Sequence, residues 1–410
     1  MKATDVAVIG GGQAGLALSR CLTECSLDHV VFERGDIAGR WETRTWDSLR
    51  LLTPNWLNTL PGLPYDGEDP DGFMVCGDFA ARLRGYAAAS AAPVLTHTEV
   101  SSVGRTCGGF LLATSTGPWR ARSVVIATGH CDVPFMPLMA RRAALPPVHS
   151  SEYRSPDALP PGKVLVIGAS ASGVQIADEL RRSGRAVILA VGRHMRLPRA
   201  WRGRDIHRWL QQTGMLSQPT SELVSLETAL REPTPQLAGR PDRADVDLAS
   251  LQARGVRLAG RVIDAEGDVV TFADDLASDV AKADAKQRRV LEQIDAWAGL
   301  PPGLPEPSMP RVDLSRPTPR RLSLKEEGIG AMIWATGYRR DFGWLKLPVQ
   351  TPEGELAHRE GATPVRGLYA LGFRLLRKRD SHFIGGVGSD AEAIAGEISE
   401  FLRNQGRRAA

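Results

Sequence analysis

The chain has 410 residues, of which 42% are hydrophobic and 24% charged. At roughly 100–200 residues per domain this is enough for two or three globular domains, and the composition excludes a peptide module, a disordered chain and a fibrous repeat. A formal net charge of +4 is too weak to imply nucleic acid, and no dense basic stripe with interleaved aromatics is present.

The first predicted element is the apolar strand Val6–Ile9. It breaks at once into Gly10-Gly11-Gly12, so it is a buried strand rather than a signal peptide. A helix follows to about Leu27, then a second apolar strand, His29–Glu33. The turn between strand and helix is Gly10-x-Gly12-Gln13-x-Gly15. The first glycine allows the tight turn, the second lets a pyrophosphate reach backbone N–H groups, and the third lets helix and strand pack closely. Glu33 lies 18 residues beyond Gly15, where an acid accepts hydrogen bonds from ribose hydroxyls. The loop Gly39-Arg40-Trp41 comes next, and with Trp46 and Trp56 it could line a flat cofactor or fill a core. In Thr53-Pro54-Asn55-Trp56 a buried amide could orient a cofactor carboxamide or a peroxide, or serve only its own turn. A strand then ends in Ala127-Thr128-Gly129.

Leu159-Pro160-Pro161-Gly162 punctuates a junction, after which the opening pattern returns. The strand from Val164 meets Gly168-x-Ser170-x-Ser172-Gly173, a helix runs to about Ser183, and a strand covers Ala186–Val191. Serine replaces the second glycine here. The second strand leads to Gly192-Arg193-His194 instead of an acid. An arginine attracts the 2′-phosphate that an acid would repel, which selects NADPH over NADH. The 200–320 region predicts a hairpin (Arg261–Asp264 and Val269–Phe272), a helix Leu276–Trp297 and a proline-rich link, 301–319. A second Ala-Thr-Gly turn, Ala335-Thr336-Gly337, precedes a short strand in Gly367–Gly372 and a terminal helix, Ala391 to about Leu402.

The five cysteines form no Cys-x-x-Cys pair, which leaves a disulfide framework, a zinc site and a thioredoxin-type relay unsupported. The histidines, His207 and His382 among them, show no metal-ligand spacing, and no Gly-x-Ser-x-Gly elbow is present. No apolar run approaches the roughly 18 residues of a membrane span, so a reducing, cytoplasmic location is expected. The fold class expected is α/β: two doubly wound Rossmann-like domains, an FAD domain over 1–155 and 325–410 with an NADPH domain, 156–324, inserted.

Taken together, these motifs resemble the class B flavin-dependent monooxygenases, namely the flavin-containing monooxygenases and, further off, the Baeyer–Villiger monooxygenases. The family's linker motif, Phe-x-Gly-x-x-x-His-x-x-x-Tyr, is matched by His149 and Tyr153, with Ala143 and Leu145 at the Phe and Gly positions. The resemblance implies that NADPH reduces FAD and that O₂ then gives a C4a-hydroperoxyflavin. The distal oxygen passes to a soft nucleophile, an amine nitrogen or a sulfur of a small organic substrate. It places Asn55 near flavin and nicotinamide as the catalytic candidate, and Asp390 where the last helix closes over the isoalloxazine. It also implies a backbone contact of Val100 to adenine. Baeyer–Villiger oxygenation of a ketone, an NADPH-dependent flavin reductase or oxidase, and a nucleotide sensor without catalysis remain alternatives. Neither nucleic acid nor membrane is expected as a partner; a homodimer is the commonest assembly open to such a chain.

Overall fold

The computed structural model describes residues 1–301, 304–305 and 307–409; positions 302, 303 and 306 of the proline-rich link lie outside the described residues. Two mostly parallel sheets organise the chain. In the first, Lys2–Ile9 lies between His29–Phe32 and Trp119–Ile126, both parallel to it. Val94–Leu95 extends one edge, and Leu368–Ala370 joins Trp119–Ile126 on the other. Antiparallel strands Gly109–Thr114 and Val100–Thr106 complete this sheet. Helices Gln13–Glu24 and Val387–Ala409 share its core through Leu18, Leu22, Ile394 and Ile398.

The second sheet is wholly parallel, in the order Arg257–Ala259, Val187–Ala190, Lys163–Ile167, Ile329–Trp334, Pro147–His149. Its central strand is apolar from Val164 on because both faces are covered. Val164 and Val166 pack toward helix Ala171–Arg182 and Leu248. Leu165 and Ile167 point the opposite way, onto Val270, Phe272 and Leu322 of a small antiparallel sheet. The alternation follows from the two-residue period of a strand.

This arrangement corrects the expected boundaries. Pro147–His149 and Ile329–Trp334 belong to the second sheet, so it begins before residue 156 and ends after residue 324. The hairpin pairs Val262–Glu266 with Val269–Phe272, and the long helix spans Leu276–Trp297. The terminal helix starts at Val387, four residues earlier than its apolar periodicity indicates.

Candidate functional site

The two glycine loops are built alike. Gly10 has φ +115°, and a Cβ there would stand 2.5 Å from the Ala127 carbonyl oxygen. Gly168 has φ +107°, and its Cβ would stand 2.4 Å from the Ala335 oxygen. Both positions need glycine for conformation and for space. The two Ala-Thr-Gly turns therefore have one structural role, closing down on a glycine loop. Ala127 N–H donates to Ile9 at 2.9 Å, and Ala335 N–H to Ile167 at 2.8 Å. The third glycines complete the match: a Cβ on Gly15 would meet the Gly10 oxygen at 1.9 Å, and one on Gly173 the Gly168 oxygen at 1.8 Å. Thr128 and Gly129 follow Ala127 at the mouth of the first loop, where Gly129 has φ +77°.

Above Gly12 there is open space to 4 Å. The helix that starts at Gln13 has no side-chain cap and no acid in its first turn. The helix that starts at Ala171 likewise lacks both, although its capping position is Ser170, with Ser172 just inside. Uncapped N-terminal N–H groups carry partial positive charge and suit phosphate oxygens. Both loops therefore fit a dinucleotide pyrophosphate.

Glu33 ends the second strand and holds the first loop in shape. Its two carboxylate oxygens accept the N–H groups of Gly11 at 2.7 Å and Gly35 at 2.9 Å. The backbone lying beside it is that of His97 and Thr98, whose N–H groups donate to Gly35 and Glu33. Val100 instead faces Thr114 in the outer antiparallel pair. Strand pairing thus draws Val100 away from Glu33. Nothing local in the sequence marks His97 or Thr98. Arg40 donates to the carbonyls of Cys131 and Asp132, tying its loop to the segment after Gly129. Trp41 packs edge-on against Phe79 at 5.0 Å and Trp46 lies 6.4 Å from Tyr153. Trp46 is buried in the core, and Trp41 packs half-buried against the core of the first sheet. Trp56 carries the Arg208 guanidinium at 3.9 Å.

Arg193 and His194 part company. Arg193 is exposed beyond the end of Val187–Ala190, with no ion pair or hydrogen bond among the described residues. His194 is buried, its Nδ1 3.0 Å from the Gly192 carbonyl. Burial, the larger effect, holds its pKa below the usual histidine value. His194 thus turns into the protein while Arg193 faces out.

Asn55 is 6% exposed and sits in a short turn, Asn55–Leu57. Its Nδ2 donates to the Asp69 carbonyl at 2.9 Å and lies 3.3 Å from the Tyr65 hydroxyl. Its Oδ1 has no partner. The atom available to a ligand is therefore an acceptor, and the donors expected to steer a peroxide are engaged. Thr53 Oγ1 bonds Asn58 Oδ1 at 2.5 Å, closing the turn from behind. The same turn is pressed against the glycine-rich approach to the last helix: a Cβ on Gly385 would stand 2.0 Å from the Leu57 oxygen. One helical turn on is Asp390, which is 1% exposed. The Ser381 hydroxyl bonds its carboxyl group, while Oδ2 has no partner. Burial pushes the Asp390 carboxyl up to about 6. Ser381, which also accepts the N–H groups of Arg377 and Lys378 at 3.0 Å each, is a site element the sequence did not mark.

His149 ends a strand, and Tyr153 follows just past the turn after it, outside any helix. Both are tied into the second sheet's unit. His149 Nε2 lies 2.9 Å from the Gly337 carbonyl, and Tyr153 donates to Glu179 at 2.8 Å. No helix among the described residues is long and apolar enough to cross a membrane.

Residues 7–213 match the family described as pyridine nucleotide-disulphide oxidoreductase. An uncharacterized oxidoreductase, CzcO-like, of Geobacillus kaustophilus is 32% identical over 400 residues, covering 96% of this chain and 98% of the relative. An indole-3-pyruvate monooxygenase of Oryza sativa subsp. japonica is 27% identical, covering 98% of this chain and 93% of that one. Among solved structures, a flavin-containing monooxygenase from Stenotrophomonas maltophilia shares the fold with a TM-score of 0.68. It is 21% identical, covering 98% of this chain and all of the other.

Proposed function

The chain belongs to the pyridine nucleotide-disulphide oxidoreductase family, and from that premise we propose that it is an FAD- and NADPH-dependent monooxygenase of class B type. It oxygenates a soft nucleophile, an amine nitrogen or a sulfur, in a small organic substrate. The observation that carries this reading is the duplicated loop: two uncapped helix N-termini, each beside a glycine turn shut by an Ala-Thr-Gly segment. Two loops of this kind suit two dinucleotides. The first sheet is the FAD domain and the second the NADPH domain, inserted between its halves. The relative named as an indole-3-pyruvate monooxygenase supports the choice of a monooxygenase reaction.

Bound FAD would supply the two-electron and oxygen chemistry that side chains cannot. The protein's part is to bind, orient and exclude water. Open space over Gly12 admits the flavin nucleotide's pyrophosphate, and Glu33 accepts its ribose hydroxyls. Arg193 pairs with the 2′-phosphate of NADPH, a charge-assisted contact. Asn55 and Asp390 flank the reacting centre, one from a short turn and the other from the first turn of the last helix, whose approach meets that turn at Leu57 and Gly385. The overall reaction takes NADPH, O₂, a proton and the substrate to NADP⁺, water and the oxygenated substrate.

The test is reconstitution with FAD, followed by NADPH oxidation in ¹⁸O₂ with thioether and amine substrates. One labelled oxygen per NADPH in the product is expected. Failure to hold flavin, or hydrogen peroxide released in step with NADPH whatever substrate is offered, overturns the proposal.

A further inference from the structure

A cavity of about 490 Å³ opens beside Asn55, within the size range of small-ligand sites. Its wall carries both signs of charge. Two of its arginines are already committed: Arg82 binds Asp66 and the Pro64 carbonyl, and Arg240 binds Asp178 and Asp242. The other two are not. Arg50 donates one N–H to the Phe73 carbonyl at 2.7 Å and has no ion pair, and the Arg243 side chain has no ion pair or hydrogen bond among the described residues. Both acids on the wall, Asp69 and Asp78, also lack an ion pair there.

Two cations and two anions, none in an ion pair among the described residues, thus line one cavity. The buried Asn55 Oδ1 adds an acceptor without a donor. Its orientation is settled, because Nδ2 must be the atom facing the Asp69 carbonyl. A simple organic anion would answer the arginines and leave the acceptors unmet. A neutral apolar molecule would answer neither.

We propose that this cavity binds a small zwitterion of the amino-acid class. Its carboxylate pairs with Arg50 and Arg243, and its ammonium is received by Asn55 Oδ1 with Asp69 and Asp78. As the substrate class of the oxygenation above, it rests on the reading of Asn55 as part of that site; as a binding site, it does not need the flavin chemistry.

The experiment is isothermal titration of the FAD-loaded protein, without NADPH, with three probes sharing one sulfur. L-methionine carries both charges, its methyl ester lacks the carboxylate, and N-acetyl-L-methionine lacks the ammonium. L-methionine is expected to bind tighter than about 1 mM, and each of the others about tenfold more weakly. Arg243→Gln, at an exposed position, should cost L-methionine about tenfold and abolish its advantage over the ester. No binding of L-methionine, or equal binding of all three probes, overturns the inference. If that happens while NADPH still drives ¹⁸O into some other substrate, the monooxygenase reading stands alone. If L-methionine binds as expected but no flavin chemistry is found, the cavity stands and the monooxygenase reading falls.

Discussion

Gly12→Ala and Gly15→Ala separate the two tasks of the first loop. A methyl on Gly12 meets nothing within 4 Å, and its φ of −86° suits alanine. Losing glycine at the capping position should cost at most about 1 kcal/mol of stability. The same methyl on Gly15 lies 1.9 Å from the Gly10 oxygen, well inside the roughly 3.3 Å of a close C···O contact. Overpacking costs about 1–3 kcal/mol, toward the upper end when backbone must move. Alanine's helix preference returns about 1 kcal/mol, leaving a net loss of about 2 kcal/mol. Flavin binding should reverse the order of severity. The Gly12 methyl occupies the space offered to the pyrophosphate, and about 1–3 kcal/mol of crowding weakens FAD about 5- to 150-fold. The assay is urea unfolding of the apoprotein beside fluorescence titration with FAD. Gly12→Ala binding FAD as the parent does would refute the placement of the pyrophosphate. An unchanged unfolding midpoint in Gly15→Ala would refute the packing argument.

Arg193→Ser should raise KM for NADPH about 10- to 150-fold and leave KM for NADH unchanged, as expected for a lost charge-assisted contact; equal effects on both cofactors would remove Arg193 from the 2′-phosphate. Because burial raises the Asp390 carboxyl from 3.8 to about 6, the folded protein holds a proton that the unfolded chain gives up. Its contribution to stability is present below about pH 4 and is lost as pH rises through 6, by up to about 3 kcal/mol. Asp390→Asn should flatten that part of the stability–pH curve; chemical denaturation between pH 4 and 7 would show whether it does. Arg199 is 2% exposed and joins Asp205 at 2.7 Å to the Leu52 carbonyl at 2.9 Å. Arg199→Met should cost about 3–5 kcal/mol by stranding Asp205, and a thermal midpoint equal to the parent's would show that the pair is dispensable.

Local backbone chemistry was legible from the residues alone. Gly10, Gly15, Gly168 and Gly173 occupy sites where a side chain would strike the neighbouring carbonyl, so their spacing declares the turn before any fold is known. The apolar strands and both following helices declared themselves by period for the same reason: each is stabilised by residues a few positions apart. The Leu276–Trp297 helix, with one apolar stripe and no breaker, emerged at its expected bounds.

What the tertiary structure alone decided depends on contacts between distant parts of the chain. Ile329–Trp334 could sit in either sheet by its composition; its pairing with Lys163–Ile167 put it in the second. Arg193 and His194 are adjacent in sequence, yet one is exposed and the other buried. Asn55 was visible as a polar residue among apolar ones, but which of its amide atoms is free was set by the carbonyl of Asp69. The cavity wall draws on residues from 50 to 243, and no motif spans that distance. A turn or a helix is encoded by steric limits within a few residues. A binding surface is encoded by side chains whose partners are chosen only when the two sheets pack, and that choice leaves no periodic mark along the chain.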